Sequence, residues 1–312
     1  MIKRLYIWML CFAIWCITLD SVYSSAPHDT LRIAFYNIEN AYDSIDDSLE
    51  YDDDFSPRGK KLWTSTRYKC KIENISHVIS SISPSIIALC EIENENVLRD
   101  ICKVISSKTH KKYNFITMDS GDERGLDPAV IYDEDILTHV FSDTISSPCE
   151  SRAMMESRYI IKETGDTLDV LVCHWTSRYM GRKATENARI SLARRASRWA
   201  NGLPSTTLKI IMGDFNDQHS DVSLSYLTHL APYMNSHHRD NNYSYYYQGK
   251  WYAFDQIFTN FVPSTVPYTS YKENIMMTDG KYPYRTYTGD RYIGGYSDHL
   301  PVYIDYNVKH KQ

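Results

Sequence analysis

Apolar positions along the chain fall into short continuous runs, separated by polar, Gly-marked and Pro-marked stretches, and the runs define the expected elements. Leu31 opens a strand in which Arg32–Asn37 mixes apolar and β-favouring residues. Residues 42–57 are acidic and Ser-containing, which reads as a solvated loop. Between Lys60 and Ile82 the apolar positions Leu62, Ile72, Ile75, Val78, Ile79 and Ile82 sit near helical spacing, and Pro84 ends that helix. Ile86–Cys90 is a buried strand with an acid at its end, and Val97–Ser107 a second helix. A strand follows at Ala129–Tyr132. Tyr159–Lys162 and Thr167–Cys173 pair across the turn Thr164-Gly165-Asp166. Lys183–Trp199 is a helix rich in Arg and Ala, and Leu208–Met212 a buried strand ending at Gly213-Asp214. Phe254–Thr259 and His299–Tyr303 supply two late strands.

Strands outnumber helices in this reading, and polar residues recur immediately after buried strands. That pattern suits two packed sheets flanked by helices, with the chemistry at one set of strand ends. No repeat, low-complexity stretch or Pro/Gly-rich linker divides the chain, so residues 25–312 are expected to form one domain. Of the 312 residues 43% are hydrophobic and 23% charged, which excludes a disordered or collagen-like chain. The formal charge of -5 argues against tight polyanion binding by a basic surface.

The N-terminus reads separately. Lys3 and Arg4 precede an apolar run from Leu5 to Leu19, which Asp20 interrupts before small polar residues begin. This describes a secretory signal peptide, residues 1–24, cleaved near Ser24, and hence an exported protein, periplasmic or extracellular. The run is marginal for a bilayer span of about 20 residues. An uncleaved anchor and lipid attachment at Cys16 are the alternatives, the second disfavoured by the bulky Ile14-Trp15. Cys11 and Cys16 fall in this segment. Cys70, Cys90, Cys102, Cys149 and Cys173 remain, an odd number without CxxC spacing, which excludes zinc-ribbon and thioredoxin-like readings. An exported protein could form one or two disulfides; Cys90 and Cys173 sit in apolar runs and read as core thiols.

The strand ends carry the candidate chemistry. Asn37 and Glu39 follow the first strand, Glu91 the second, His174 the hairpin, and Asp214 and Asn216 the Ile-Ile-Met strand. Asp255 lies within a late strand, and Asp298-His299 opens the last. Each alone is ordinary, because strand-end carboxylates usually cap helices or form turns. Six such segments against apolar strands are another matter, since an unpaired buried charge is expensive. A hard divalent cation compensates naturally, and Mg²⁺ takes carboxylates together with water and phosphate oxygens.

The series Phe35-Tyr-Asn37-Ile-Glu39-Asn40, Leu89-Cys-Glu91-Ile-Glu93-Asn94, Cys173-His174-Trp175, Gly213-Asp214-Phe-Asn216-Asp217, Phe254-Asp255-Gln-Ile-Phe and Tyr296-Ser297-Asp298-His299-Leu-Pro301 resembles the endonuclease/exonuclease/phosphatase superfamily, with its deoxyribonuclease-I-like fold. The matches keep the family's order from about residue 31 to 305, and Gly-Asp-Phe-Asn and Ser-Asp-His-Leu-Pro are the most specific. The resemblance implies a four-layer α/β sandwich, two central mixed β-sheets flanked by helices. It implies Mg²⁺ or Mn²⁺ on Glu91, supported by Asn37 and Glu39, with Asp298 in the metal or water network and Ca²⁺ an option as a structural ion. Asp214 would orient or deprotonate the attacking water, Asn216 contact the phosphate, and His174 stabilise the scissile phosphate or leaving oxygen. His299, paired with Asp255, would be protonated against the developing charge. The chemistry independently asks for such a set: metal and imidazolium neutralise a phosphodiester's charge while an activated water attacks in line, and a His–Asp pair raises the histidine pKa.

Arg124, in the loop Gly121–Asp127, and Arg178 are further phosphate-binding candidates, since a guanidinium fork suits that ligand; a local ion pair in a turn is the plainer reading. Tyr243 to Tyr247 and Trp251 form an aromatic cluster, either a Tyr-rich strand and rim or a surface that stacks on bases or touches lipid. The superfamily spans nucleases, inositol-phosphate phosphatases and sphingomyelinases, so the site gives the reaction type and not the substrate. Phe254-Asp255-Gln256 lacks the Arg of the Trp-x-Asp-Arg run of inositol-polyphosphate phosphatases, and export argues against a genomic repair enzyme. The expectation is therefore an exported, monomeric, endonuclease-like phosphodiesterase acting on nucleic acid or a nucleotide. A sphingomyelinase-like lipid phosphodiesterase, favoured by an exposed Tyr245-Tyr246-Tyr247 hairpin, is one alternative, and a catalytically inactive binding module the other.

Overall fold

The structure, a computed structural model, describes residues 29–45, 52–146, 152–237, 242–264 and 269–308. The expected leader and Cys149 lie outside the described residues. The chain runs β1 (Thr30–Ala41), α1 (Ser65–Ile82), β2 (Ile86–Ile92), α2 (Glu95–Thr109), β3 (Tyr113–Thr117), β4 (Asp127–Asp133), β5 (Leu137–Ile145), β6 (Met154–Ile161), β7 (Thr167–His174), α3 (Glu186–Gly202), β8 (Leu208–Asp214) and α4 (Val222–Leu230). Short strands follow: β9 (Asn235–Ser236), β10 (Tyr245–Tyr247), β11 (Lys250–Tyr252), β12 (Asp255–Thr259), β13 (Thr269–Ser270), β14 (Met277–Thr278), β15 (Tyr282–Pro283), β16 (Tyr287–Thr288), β17 (Arg291–Tyr292) and β18 (Val302–Asn307).

Two six-stranded mixed sheets form the centre, ordered β13-β18-β1-β2-β4-β3 and β5-β6-β7-β8-β12-β9. Each central strand is buried on both faces, which is why it reads as a continuous apolar run and not an alternating one. In β1, Leu31, Ile33 and Phe35 pack between the sheets with Val170, Val172, Ile210 and Met212. The alternate residues Ala34, Tyr36 and Ile38 meet Ile75, Val78 and Ile79 of α1 and Val97, Leu98 and Ile101 of α2. On the far side, Leu171, Ile211 and Phe258 pack against Leu192, Ala193 and Ala196 of α3 and Leu224 and Leu227 of α4. The layers are thus helix, sheet, sheet, helix, the expected four-layer sandwich.

Several boundaries differ from the sequence reading, each for a local reason. α1 starts at Ser65, not Lys60, because the Thr64 side chain caps it by accepting the Arg67 amide. Residues 59–63 instead turn tightly, the Leu62 amide donating to Gly59 and the Trp63 amide to Ser56. α3 begins at Glu186, and the last strand at Val302, so Asp298 and His299 stand in the loop before it. The edge strands β3 and β5 and the short α4 escaped the pattern, since edge strands are only partly buried. Cys90, Cys102 and Cys173 are buried free thiols, Cys70 an exposed one.

Candidate active site

Strand direction gathers the site. β1 runs parallel to β2 in one sheet and β7 parallel to β8 in the other. Their C-terminal ends therefore bring Asn37, Glu39, Glu91, His174 and Asp214 to one edge of the sandwich. β12 runs antiparallel to β8, which sets its first residue, Asp255, opposite Asp214. β18 runs antiparallel to β1 with Val302 opposite Phe35, so the preceding loop carries Asp298 and His299 to the same edge.

Strand ends alone would not aim these side chains. The β1–β2 ladder shifts register between Asn37 and Ala41, and the β2–β4 ladder between Leu89 and Ile92. These irregularities fall at Glu39 and Glu91, where an inserted residue bends the strand and re-aims side chains. Glu39, Asn40, Glu91 and Asn216 all have left-handed backbone, with φ of 54°, 46°, 69° and 49°. Such conformations are costly for the two glutamates, less so for asparagine, and concentrate where the surroundings hold functional groups. Gly213 serves the same end: a Cβ there would lie 1.9 Å from the Cys173 carbonyl oxygen, so only glycine lets β8 approach β7 beside Asp214.

The His299 Nδ1 lies 2.7 Å from Asp255 Oδ2, and its Nε2 3.7 Å from Asp214 Oδ2. Burial alone would lower this imidazole, but the Asp255 and Asp214 charges and the Asp255 hydrogen bond outweigh it and push it up to about 10. His299 is therefore a cation at neutral pH. Its main-chain N–H donates to Ser297 Oγ, which donates to the Asn37 carbonyl, and the Tyr245 ring covers the imidazole at 4.6 Å. Asp214 is pushed up to about 6 by burial, opposed by His299, and takes hydrogen bonds from Asn37 Nδ2 at 3.2 Å and the Asn216 amide at 2.9 Å. The Asn216 side chain donates to the Trp175 carbonyl at 3.0 Å.

His174 is the opposite case. Burial, reinforced by the charges of Arg152, Arg124 and His299, holds it well below the ordinary range, so it is neutral. Its Nε2 faces Glu91 Oε1 at 3.8 Å and Asp214 Oδ2 at 3.9 Å. Burial works to raise the Glu91 carboxyl, yet Arg124, the Asn40 amide, Arg152 and His299 together keep it below its usual value. Its Oε2 accepts the Asn40 amide at 2.8 Å, while Oε1 has Arg124 at 3.6 Å. Glu39 is pushed up to about 7 by burial and by Asp298, against the pull of Lys71 and Arg285.

For a divalent ion the fit lies at Glu91. Asp214, Asp255 and His299 do offer ligand-type atoms within 4.8 Å of one another. The His299 Nδ1 is, however, already engaged by Asp255 Oδ2 at 2.7 Å. Glu91 instead offers a carboxylate whose Oε1 stands 3.6 Å from Arg124 and 3.8 Å from His174, a hard donor suited to Mg²⁺ or Mn²⁺.

Of the two arginine candidates, Arg124 reaches the site, bracketed by Asp122 and Glu91. Arg178 does not: it binds Asp217, Asp221 and the Asn216 carbonyl, bracing the loop that carries Asn216. Three cations went unnoticed in the sequence. Arg152 bonds Asp122 and the Trp175 carbonyl, Arg285 bridges Glu39 and Asp298, and buried Lys71 donates to Thr286 Oγ1 and the Tyr296 carbonyl. Only Lys71 left a signal, as a lysine in the core-facing stripe of α1 between Tyr68 and Ile75. Tyr245–Tyr247 does form a hairpin with Lys250–Tyr252, but Tyr245 folds onto His299 and Tyr246 stacks on Tyr282, leaving Tyr247 as its exposed ring.

No curated protein matches the sequence. Solved structures do. An endonuclease/exonuclease/phosphatase family protein from Bacteroides thetaiotaomicron is 16% identical, covering 89% of this chain and 98% of its own at a TM-score of 0.61. The mannosyl-6-phosphatase of the same species is 17% identical, with 88% and 98% covered and a TM-score of 0.59. D. rerio TDP2, solved with a single-strand DNA product, is 15% identical, with 89% and 99% covered and a TM-score of 0.57. These likenesses establish the fold. Residues 32–308 match the Endonuclease/Exonuclease/phosphatase family, and with the site's motifs in that family's order the chain belongs to it.

Proposed function

We propose that this chain is a divalent-metal-dependent phosphodiesterase, exported and acting on nucleic acid or nucleotide phosphodiesters. The observation that carries the reading is one buried cluster in which a neutral and a protonated histidine flank Asp214, with an ionised Glu91 beside His174. Environments that push like groups apart assign acid and base roles.

In this reading Asp214, raised toward neutrality, accepts the proton of the attacking water, for which a pKa near the working pH is suited. Asn37 and the Asn216 amide fix its orientation. The His299 imidazolium, held by Asp255, stabilises charge that develops on the phosphoryl oxygens. Neutral His174 donates a hydrogen bond at the opposite side, toward the scissile phosphate or leaving oxygen. Glu91 and Asn37 would hold the divalent ion, which when bound supplies charge neutralisation at the phosphoryl group. Tyr247 supports the nucleotide assignment, as an exposed ring 6.4 Å from the Tyr245 ring that covers His299, on which a base can stack. The D. rerio TDP2 structure with DNA product supports it by likeness of fold. The half-buried hairpin rings weaken the lipid reading.

The mannosyl-6-phosphatase neighbour raises a second reading, a phosphomonoesterase. The test is hydrolysis of bis-p-nitrophenyl phosphate, p-nitrophenyl phosphate and single-stranded DNA with Mg²⁺, with Mn²⁺ and with EDTA, for wild type and His299→Ala. Metal-dependent cleavage of the diester and the DNA, lost in the variant, is expected. Turnover of the monoester alone would replace the proposal with the second reading, and no turnover of any substrate would sink both. Fractionation of expressing cells tests export, with the mature protein expected outside the cytoplasm and shortened near Ser24.

A further inference from the structure

Glu39 and Asp298 belong to the acid cluster from which the resemblance would draw metal ligands, and the structure shows what holds them. Arg285 Nε lies 3.2 Å from Glu39 Oε1, and Arg285 Nη2 lies 2.8 Å from Asp298 Oδ2. The second oxygen of Glu39 accepts the Thr286 amide at 2.7 Å. Behind the pair, Lys71 is buried and donates at 2.6 Å to both Thr286 Oγ1 and the Tyr296 carbonyl. Its positive charge acts on both Glu39 and Asp298, countering burial, which lowers the ammonium to about 8.

The arrangement is built into the backbone. The Gly295 amide donates to the Arg285 carbonyl at 3.1 Å. A Cβ on Gly295 would lie 2.1 Å from the Tyr284 carbonyl oxygen and 2.3 Å from that of Arg285, so glycine is required for the segment to carry Arg285 this close. A guanidinium is permanently charged, and its planar fork suits two acceptors at once. Glu91 differs: one oxygen is taken by the Asn40 amide, but among the described residues Oε1 has no partner within hydrogen-bond distance, His174 and Arg124 standing at 3.8 and 3.6 Å. One acid of the cluster is open to an ion, while two are closed by a side-chain cation.

We propose that Arg285, backed by Lys71, is a fixed cation occupying the seat between Glu39 and Asp298, so that this chain holds a single divalent ion, at Glu91. Arg285 is thus a positioning residue, substituting a permanent charge for an exchangeable one. The inference rests on the metal-dependent reading above only in taking Glu91 as the ion's ligand.

Mn²⁺ titration of the full chain, read by the electron paramagnetic resonance signal of free Mn²⁺, tests it without reference to turnover. Wild type is expected to bind one Mn²⁺ per chain and Glu91→Gln none. Arg285→Met should bind two, with spectral broadening from two nearby ions. Arg285→Lys, which keeps a charge, should stay at one. Because a bound ion stabilises the state that binds it, saturating Mn²⁺ should also raise the Tm of Arg285→Met more than that of wild type. Two ions in wild type would overturn the inference and leave the function standing. A folded Arg285→Met that still binds one, with no added Tm gain, would overturn it as well. No binding by wild type would sink the metal-dependent reading together with the inference.

Discussion

His174 and His299 sit in one cluster at the same side-chain exposure, 6%, and carry different charges. What separates them is who stands nearest. Burial lowers both, but at His299 the Asp255 and Asp214 charges and the Asp255 hydrogen bond outweigh it, whereas at His174 the charges of Arg152 and Arg124 add to it. The His299–Asp255 pair is expected to behave as a unit. His299→Gln and Asp255→Asn should each lower kcat by about 10²–10⁴-fold, the range removed with a general acid or base. The double variant should lose little beyond the worse single one, as residues acting together are non-additive. Steady-state kinetics on the diester decide this, and additive losses would mean that the two act separately.

At the scale of elements, packing also sets which groups can titrate. His237 follows β9 and is buried, its Nε2 2.6 Å from Thr259 Oγ1 of β12. Burial pushes it down from the ordinary 6.5 to about 4. With the folded value below the unfolded one, the unfolded chain takes up the proton first as pH falls. Stability should therefore decline between about pH 6.5 and about pH 4 and be fully present above that window. The urea midpoint of wild type is expected to drop from pH 7 to pH 5, and that of His237→Gln, which cannot titrate, to drop less. Equal drops would remove His237 as a cause.

For the whole molecule, the interior between the sheets is what fixes the distance between the two halves of the site. Phe35 is fully buried there, two residues before Asn37. Phe35→Ala should destabilise by about 3–5 kcal/mol, the range for removing a buried aromatic side chain. Chemical unfolding measures it. A loss under about 1 kcal/mol would show that the sheets close over the gap, since the cost depends on how far a site collapses. The variant should also weaken Mn²⁺ binding, because β1 and β2 reach the site through that interior.

Much of this was legible in the sequence. Strands buried on both faces must be apolar throughout, so β1, β2, β7, β8 and β12 appear as continuous runs, and at or near one end of each stands a polar residue that the core would not otherwise tolerate. Those two facts, with the order of the motifs, determined the layered fold and picked out nine residues that the structure gathers at the candidate site. The edge strands β3 and β5 and the short α4 bury too little to impose a pattern. The register shifts at Glu39 and Glu91, the closing of Glu39 and Asp298 by Arg285, and the different protonation states of His174 and His299 were decided only by tertiary structure. They depend on which distant groups come within a few ångströms, and Arg285 is 246 residues from Glu39 along the chain. A side chain's type is written locally, but its partners, and with them its charge, are set by the packing of the whole chain.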